Sequence, residues 1–172
     1  MRDLDYYGIM CIRELEIIGI QPGNITKFIV NTRAKSRWGQ CKRLPNRTFE
    51  ININSDLLRD DIPIDGLKST LYHEILHTCD GCMNHGEKWT ALAAKVTRYY
   101  GVKVSRTDSA LDKGFSKEQA QAYEKKRTAK AKYKFVCDGC GQEITYMRAG
   151  DHVKHPERYR CVFCHSNFTR VA

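Results

Sequence analysis

A chain of 172 residues with 41% apolar content is long enough to bury one core of ordinary size and to carry a small appendage. No apolar run approaches the roughly 20 residues of a membrane span, and Met1-Arg2-Asp3-Leu4-Asp5 lacks the basic-then-apolar layout of a secretory leader, so the expectation is a cytoplasmic protein with reduced thiols. A net charge of +9 favours a polyanionic partner, of which nucleic acid is the commonest, although charge alone does not separate DNA from RNA.

Leu4, Tyr7, Cys11, Leu15 and Ile18 recur with a helical rhythm, which predicts a packing helix over Leu4–Ile18 stopped by Gly19. Lys27–Asn31 and Thr48–Asn54 read as strands, the second alternating apolar and polar side chains as a one-sided sheet requires. Arg37–Cys41 is a further strand, joined to Thr48–Asn54 by a turn around Pro45-Asn46, after which Ser55 or Asp56 caps a short helical turn. Asp65 or Gly66 then opens a helix over Leu67–Thr78, with Leu67, Leu71, Ile75 and Leu76 toward the core and Gly81 beyond its end. The next helix, Glu87–Tyr100, buries Trp89, Leu92, Ala93, Val96 and Tyr99/Tyr100 and stops at Gly101. Helices around a small antiparallel sheet make an α+β arrangement, expected over residues 1–112.

The second of those helices carries His73-Glu74-Ile75-Leu76-His77. One helical turn separates the two histidines, so both imidazoles reach a single ion from one face. Glu74 sits beside that face, where its carboxylate takes a proton from water without being a ligand. A catalytic zinc needs three protein ligands, and His85, eight residues on, is the natural third. Cys79-Asp80-Gly81-Cys82 lies between His77 and His85 and is expected to bring two thiols near the ion, a candidate redox-sensitive or regulatory pair.

From Lys113 the composition turns polar and basic: between Lys113 and Lys134 eight cations face only Glu118 and Glu124, a balance of 8 minus 2, or +6. Residues 113–132 are expected to be an exposed helical linker. The tail, 133–172, holds Cys137-x-x-Cys140 and Cys161-x-x-Cys164 at the spacing of a four-cysteine structural zinc site. About 40 residues cannot keep a core without such a staple. Four thiolates satisfy tetrahedral zinc, so His152, His155 and His165 are read as surface residues. Basic and aromatic residues interleave here, and Lys125, Lys126, Arg127, Lys130, Arg148 and Arg160 are the candidate nucleic-acid contacts.

With these motifs together, the chain resembles the SprT-like zinc metalloproteases, and among them the Spartan type with a C-terminal zinc ribbon. The resemblance rests on Arg37-Trp38-Gly39-Gln40-Cys41, Ile51-Asn52-Ile53-Asn54, His73-Glu74-Ile75-Leu76-His77, His85-Gly86 and Trp89, followed by the four tail cysteines. It implies a zincin-like domain, zinc ligands at His73, His77 and His85, Glu74 as catalytic base, and a second, structural zinc on Cys137, Cys140, Cys161 and Cys164. Spartan-type relatives cut proteins crosslinked to DNA, which implies a protein substrate, DNA as the favoured nucleic acid and a place in DNA repair. Tyr72 and Arg37 are candidates for a second donor to the oxyanion, and the strand around Trp38 for an open edge on which substrate adds. The competing expectations are a nucleic-acid-binding regulatory protein with an inactive metal site, and hydrolysis of a small non-peptide substrate.

Overall fold

In a computed structural model that describes residues 1–34, 37–128 and 131–171, the chain opens with α1 (Leu4–Ile17). Asp3 caps it by accepting from the Tyr6 amide at 3.1 Å, and Leu4, Cys11 and Leu15 form its buried stripe. Strands β1 (Ile25–Asn31), β2 (Gly39–Arg43) and β3 (Phe49–Asn54) follow. The order in the sheet is β1-β3-β2. β3 is the central and most deeply buried strand, with Phe49, Ile51 and Ile53 in the interior.

The β2–β3 pair is antiparallel, as expected, but β1 runs parallel to β3, so the sheet is mixed. The cause is topological: β3 inserts between β1 and β2, and the chain that leaves β1 must cross the end of β3 before β2 begins. Asn54 secures that crossing. Its buried Nδ2 donates to the carbonyls of Ala34 and Arg37 at 3.3 Å each, and its Oδ1 accepts from the Asp56 amide at 3.0 Å. Asn54, not Ser55 or Asp56, therefore caps the short helical turn Ser55–Leu58.

α2 (Ile64–Leu76) starts three residues before the predicted Leu67, directly after Pro63, and ends with His77 as its C-cap. α3 (Glu87–Tyr100) stops at Gly101, which adopts the left-handed conformation with φ 69°. Tyr99 is exposed, against expectation, while Tyr100 turns inward to donate to the Glu14 carbonyl at 2.6 Å. α2 is the keystone of this unit, touching α1, α3, β2 and β3, with Leu67, Leu71, Tyr72, Ile75 and Leu76 in the core.

Two compact units divide the chain, Met1–Ala120 and Gln121–Ala172, with α4 (Lys117–Thr128) leading from one to the other. Composition placed Lys113 at the start of an exposed linker; instead Lys113 and Phe115 are buried in the first unit. The second unit is a three-stranded sheet of order β5-β4-β6, built from β4 (Tyr133–Cys137), β5 (Glu143–Tyr146) and β6 (Phe168–Arg170), with a single helical turn α5 (Asp151–Lys154). No helix among the described residues is long and apolar enough to cross a membrane.

Candidate active site

Ser69, His73 and His77 recur every fourth residue on α2, which puts them on one stripe, opposite the apolar positions that hold the helix in the core. His85 arrives from the loop before α3. The return is made by a tight turn in which the Cys82 amide donates to the Cys79 carbonyl at 3.1 Å. The three Nε2 atoms converge: His73 and His77 lie 3.2 Å apart, His77 and His85 3.2 Å, and His73 and His85 3.0 Å. Trp89, from the first turn of α3, packs against all three rings at centroid distances of 4.8, 5.6 and 4.6 Å.

The far side of each α2 ring fixes its proton. His73 Nδ1 donates to the Ser105 carbonyl at 2.8 Å, and His77 Nδ1 donates to the Cys82 carbonyl at 2.7 Å. A carbonyl only accepts, so both Nδ1 atoms carry hydrogen and both Nε2 atoms present lone pairs. Burial holds His73 down to about 4 and keeps His77 and His85 below the ordinary imidazole range, so the rings are neutral. The lone pairs of His73 and His77 cannot hydrogen-bond to each other and repel unless a cation lies between them. Zinc bonds of about 2.0–2.1 Å in a tetrahedron separate nitrogens by about 3.3 Å, close to the spacing found. The donor set fits zinc.

Glu74, the neighbour of His73 on α2, turns its carboxyl toward β2. Its carboxyl lies against Gly39, where a Cβ would meet Glu74 Cγ and Oε1 at 2.6 Å, so only glycine lets strand and carboxylate approach this closely. Burial pushes Glu74 up to about 7, opposed by a hydrogen bond from the Cys41 amide and by the charges of Lys113 and Arg37. The Gly39 of the Arg-Trp-Gly motif is thereby explained. Trp38 packs on Phe115 with ring centroids 5.2 Å apart and donates its indole N–H to the Asp108 carbonyl at 3.0 Å.

Nothing in the composition of residues 102–112 marks them as part of the site, and residues 113–115 read as the start of the linker although Lys113 and Phe115 are buried. The segment 102–115 holds the site from outside: Ser105 orients His73, Asp108 receives Trp38, and Lys113 reaches back to Ser69 Oγ and Asp108 Oδ2 at 2.7 Å each. Two expectations are corrected. Tyr72 faces away from the site, donating to the Glu14 carboxylate between α1 and α3, so it cannot serve an oxyanion. Cys79 and Cys82 are buried and neither sulfur joins the histidine cluster; Cys82 contributes its carbonyl rather than its thiol. Arg37 is exposed and acts on Glu74 only through its charge.

In the second unit the four sulfurs of Cys137, Cys140, Cys161 and Cys164 gather within 4.8 Å of one another. Cys137 to Cys164 is 3.3 Å and Cys140 to Cys161 3.6 Å, far longer than a disulfide and near the roughly 3.8 Å edge of a zinc–thiolate tetrahedron. Amides point at the sulfurs, from Gln142 to Cys140, from Phe163 and Cys164 to Cys161, and from Ser166 to Cys164, whose thiol is drawn down to about 6 by that amide first and the Ser166 hydroxyl next. Each knuckle closes on a residue in the left-handed conformation, Gly141 at φ 71° and His165 at φ 59°.

No histidine enters the cysteine cluster: His152 stacks on Tyr159 at 3.7 Å between centroids, and His155 faces Glu157 at 3.5 Å. Lys125, Arg148 and Arg160 are exposed. Lys130 and the side chains of Lys126 and Arg127 lie outside the described residues. Tyr146, Tyr159 and Phe168 line the ribbon interior with Phe135, which leaves Phe163 as the exposed ring.

A model of the SprT-like family matches residues 16–108, more than half of the chain and the whole stretch from the end of α1 to Asp108. No curated protein matches the chain.

Proposed function

The chain belongs to the SprT-like family, and from that premise we propose that it is a zinc-dependent endopeptidase acting on proteins associated with or crosslinked to DNA. The observation that carries the chemistry is the convergence of three neutral imidazoles beside a buried carboxylate. His73, His77 and His85 would hold the ion; zinc bound there supplies a Lewis acid that acidifies water and polarises a carbonyl oxygen. Glu74, deprotonated, takes the proton of the attacking water and hands it to the leaving amine. Burial suits it to both transfers, because a carboxyl raised to about 7 is a stronger base than an exposed one. The Cys41 amide and the Gly39 backbone fix its direction.

β2 is an edge of its sheet and runs past Glu74, so an extended peptide adding to that edge would bring its backbone to the base. This edge, rather than a closed pocket, suits a protein substrate over a small molecule. The reading of the partner rests on charge: with Lys113 buried, seven cations from Lys117 to Lys134 still face only Glu118 and Glu124, a balance of 7 minus 2, or +5, and together with the exposed Arg148 and Arg160 they suit phosphate contacts. A regulatory protein with a disabled metal site would have no need of Glu74 seated against Gly39.

The test incubates the zinc-loaded chain and its Glu74→Gln variant with a basic DNA-binding protein, with and without single-stranded DNA. Cleavage by the wild type alone, stronger with DNA and weaker at high salt, is the expected result. Equal cleavage by Glu74→Gln would overturn the mechanism, and cleavage indifferent to DNA and salt would overturn the partner.

A further inference from the structure

Lys113 is 2% exposed, an unusual place for an ammonium group. Its Nζ sits 2.7 Å from Asp108 Oδ2 and 2.7 Å from Ser69 Oγ, with both oxygens in or near the core. A buried ion pair loses much of its attraction to desolvation, and apolar residues of equal volume would hold a fold as well or better. Stability is therefore a poor reason for this pair, and its place suggests another.

Each end of the pair lies one short step from the catalytic groups. Ser69 is four residues before His73, on the same stripe of α2 and one turn below it. Asp108 is three residues after Ser105, whose carbonyl receives His73 Nδ1–H at 2.8 Å. The Asp108 carbonyl receives the Trp38 indole at 3.0 Å, and Trp38 adjoins Gly39, against which the Glu74 carboxyl rests. One ammonium group thus ties α2, the 102–115 segment and the entry to β2 into a single frame. It touches neither a histidine nor Glu74 and reaches both His73 and Glu74 only through its charge, so its part in orienting them is indirect.

We propose that Lys113 and Asp108 are positioning residues, a buried latch that pins the 105–115 segment so that Ser105 orients His73 for the metal and Trp38 sets the wall behind Glu74. The latch rests on the metal-site reading above. The latch consists of protein atoms alone, so it is expected to hold with or without the ion.

The test compares the full-length wild type with Lys113→Met and with the double variant Lys113→Met, Asp108→Asn, which removes both charges and leaves none buried alone. Zinc affinity at the histidine site is read by competition with a chromophoric chelator, after the cysteine site has been filled. Loss of a group that orients a ligand weakens metal binding about 10- to 100-fold, and that loss is expected in the double variant even where its Tm matches the wild type. Asp60→Asn, which removes an exposed surface pair with the amino terminus at 2.9 Å, should bind zinc as the wild type does. A folded double variant with wild-type affinity overturns the latch. Should the variants not fold, hydrogen exchange on the zinc-free wild type decides: slow amides over 105–115 are expected, and a segment protected only after zinc is added would overturn the proposal. Failure of the peptidase reading has a different signature, a wild type that binds zinc at the histidines and cleaves nothing, with the affinity ratio between variants unaffected.

Discussion

In the first unit three imidazoles converge because a core running from Leu4 to Phe115 holds α2, α3 and the 102–115 segment in place. In the second, four sulfurs converge on two short knuckles, and the buried apolar residues behind them are Phe135, Cys137 and Cys161, two of which themselves belong to the sulfur cluster. The histidine site is built by its fold, whereas the cysteine site builds its own. Outer hydrogen bonds follow the same division. His73 and His77 are oriented by carbonyls of Ser105 and Cys82, groups fixed by packing, while the sulfurs are received by amides of their own knuckles.

Metal removal should therefore separate the two units. A strong chelator, or Cys161→Ser, is expected to collapse amide dispersion over 133–171 in a nitrogen–proton NMR spectrum while the helices of the first unit persist. Structural zinc contributes apparent binding free energies of about 10–16 kcal/mol in small zinc domains, far beyond what so small a core supplies. A ribbon that kept its dispersion without metal would erase the contrast. At the histidine site the corresponding blow is to chemistry alone: Glu74→Gln should lower kcat by roughly 10²- to 10⁴-fold with metal analysis still giving two zinc per chain.

The same contrast decides what was legible in the sequence. A self-built site writes its ligands close together, so Cys137, Cys140, Cys161 and Cys164 could be read from spacing alone, and His73, Glu74 and His77 likewise because one helix carries all three. What a fold contributes from elsewhere leaves no such mark. Ser105, Asp108 and Lys113 stand more than 25 positions beyond the helix motif and look like ordinary polar residues until the chain is folded. The parallel β1–β3 pair was hidden for a related reason, since strand periodicity reports which face is buried but not which strand takes the centre. Tyr72 shows the limit of adjacency: it neighbours His73 in sequence, yet helical geometry turns it to the opposite side of α2.

Gly39→Ala probes how tightly the fold holds the base. The new Cβ would displace the Glu74 carboxyl from a 2.6 Å contact, and a misplacement of about 1 Å costs on the order of 10²-fold in rate. The loss should fall on kcat, with zinc content unchanged; a variant as fast as the wild type would mean that Glu74 is not set by β2. Tyr72→Phe reverses the pattern. It removes the hydroxyl that donates to the partly buried Glu14 carboxylate, so thermal or urea denaturation should show a loss of about 1–3 kcal/mol. Its kcat should change by less than about twofold, whereas removal of an oxyanion donor costs about 10²- to 10³-fold.

The smallest effect is expected at the pair that looked most provocative in sequence. Cys79 and Cys82 lie between two histidines of the cluster, but both thiols are buried, and burial raises Cys79 to about 11, so little thiolate exists to bind metal or attack a disulfide. What the site uses from this turn is the Cys82 carbonyl, which any residue supplies. The double variant Cys79→Ser, Cys82→Ser should keep zinc affinity and kcat, both with and without reductant, and lose only about 1–3 kcal/mol of stability for two hydroxyls placed where sulfur was. Oxidation that silences the wild type but spares the double variant would show that the thiols govern the site after all. In that case the first unit would share with the ribbon a dependence on cysteine chemistry, and the division between a site made by its fold and a site that makes its own would fail at this turn.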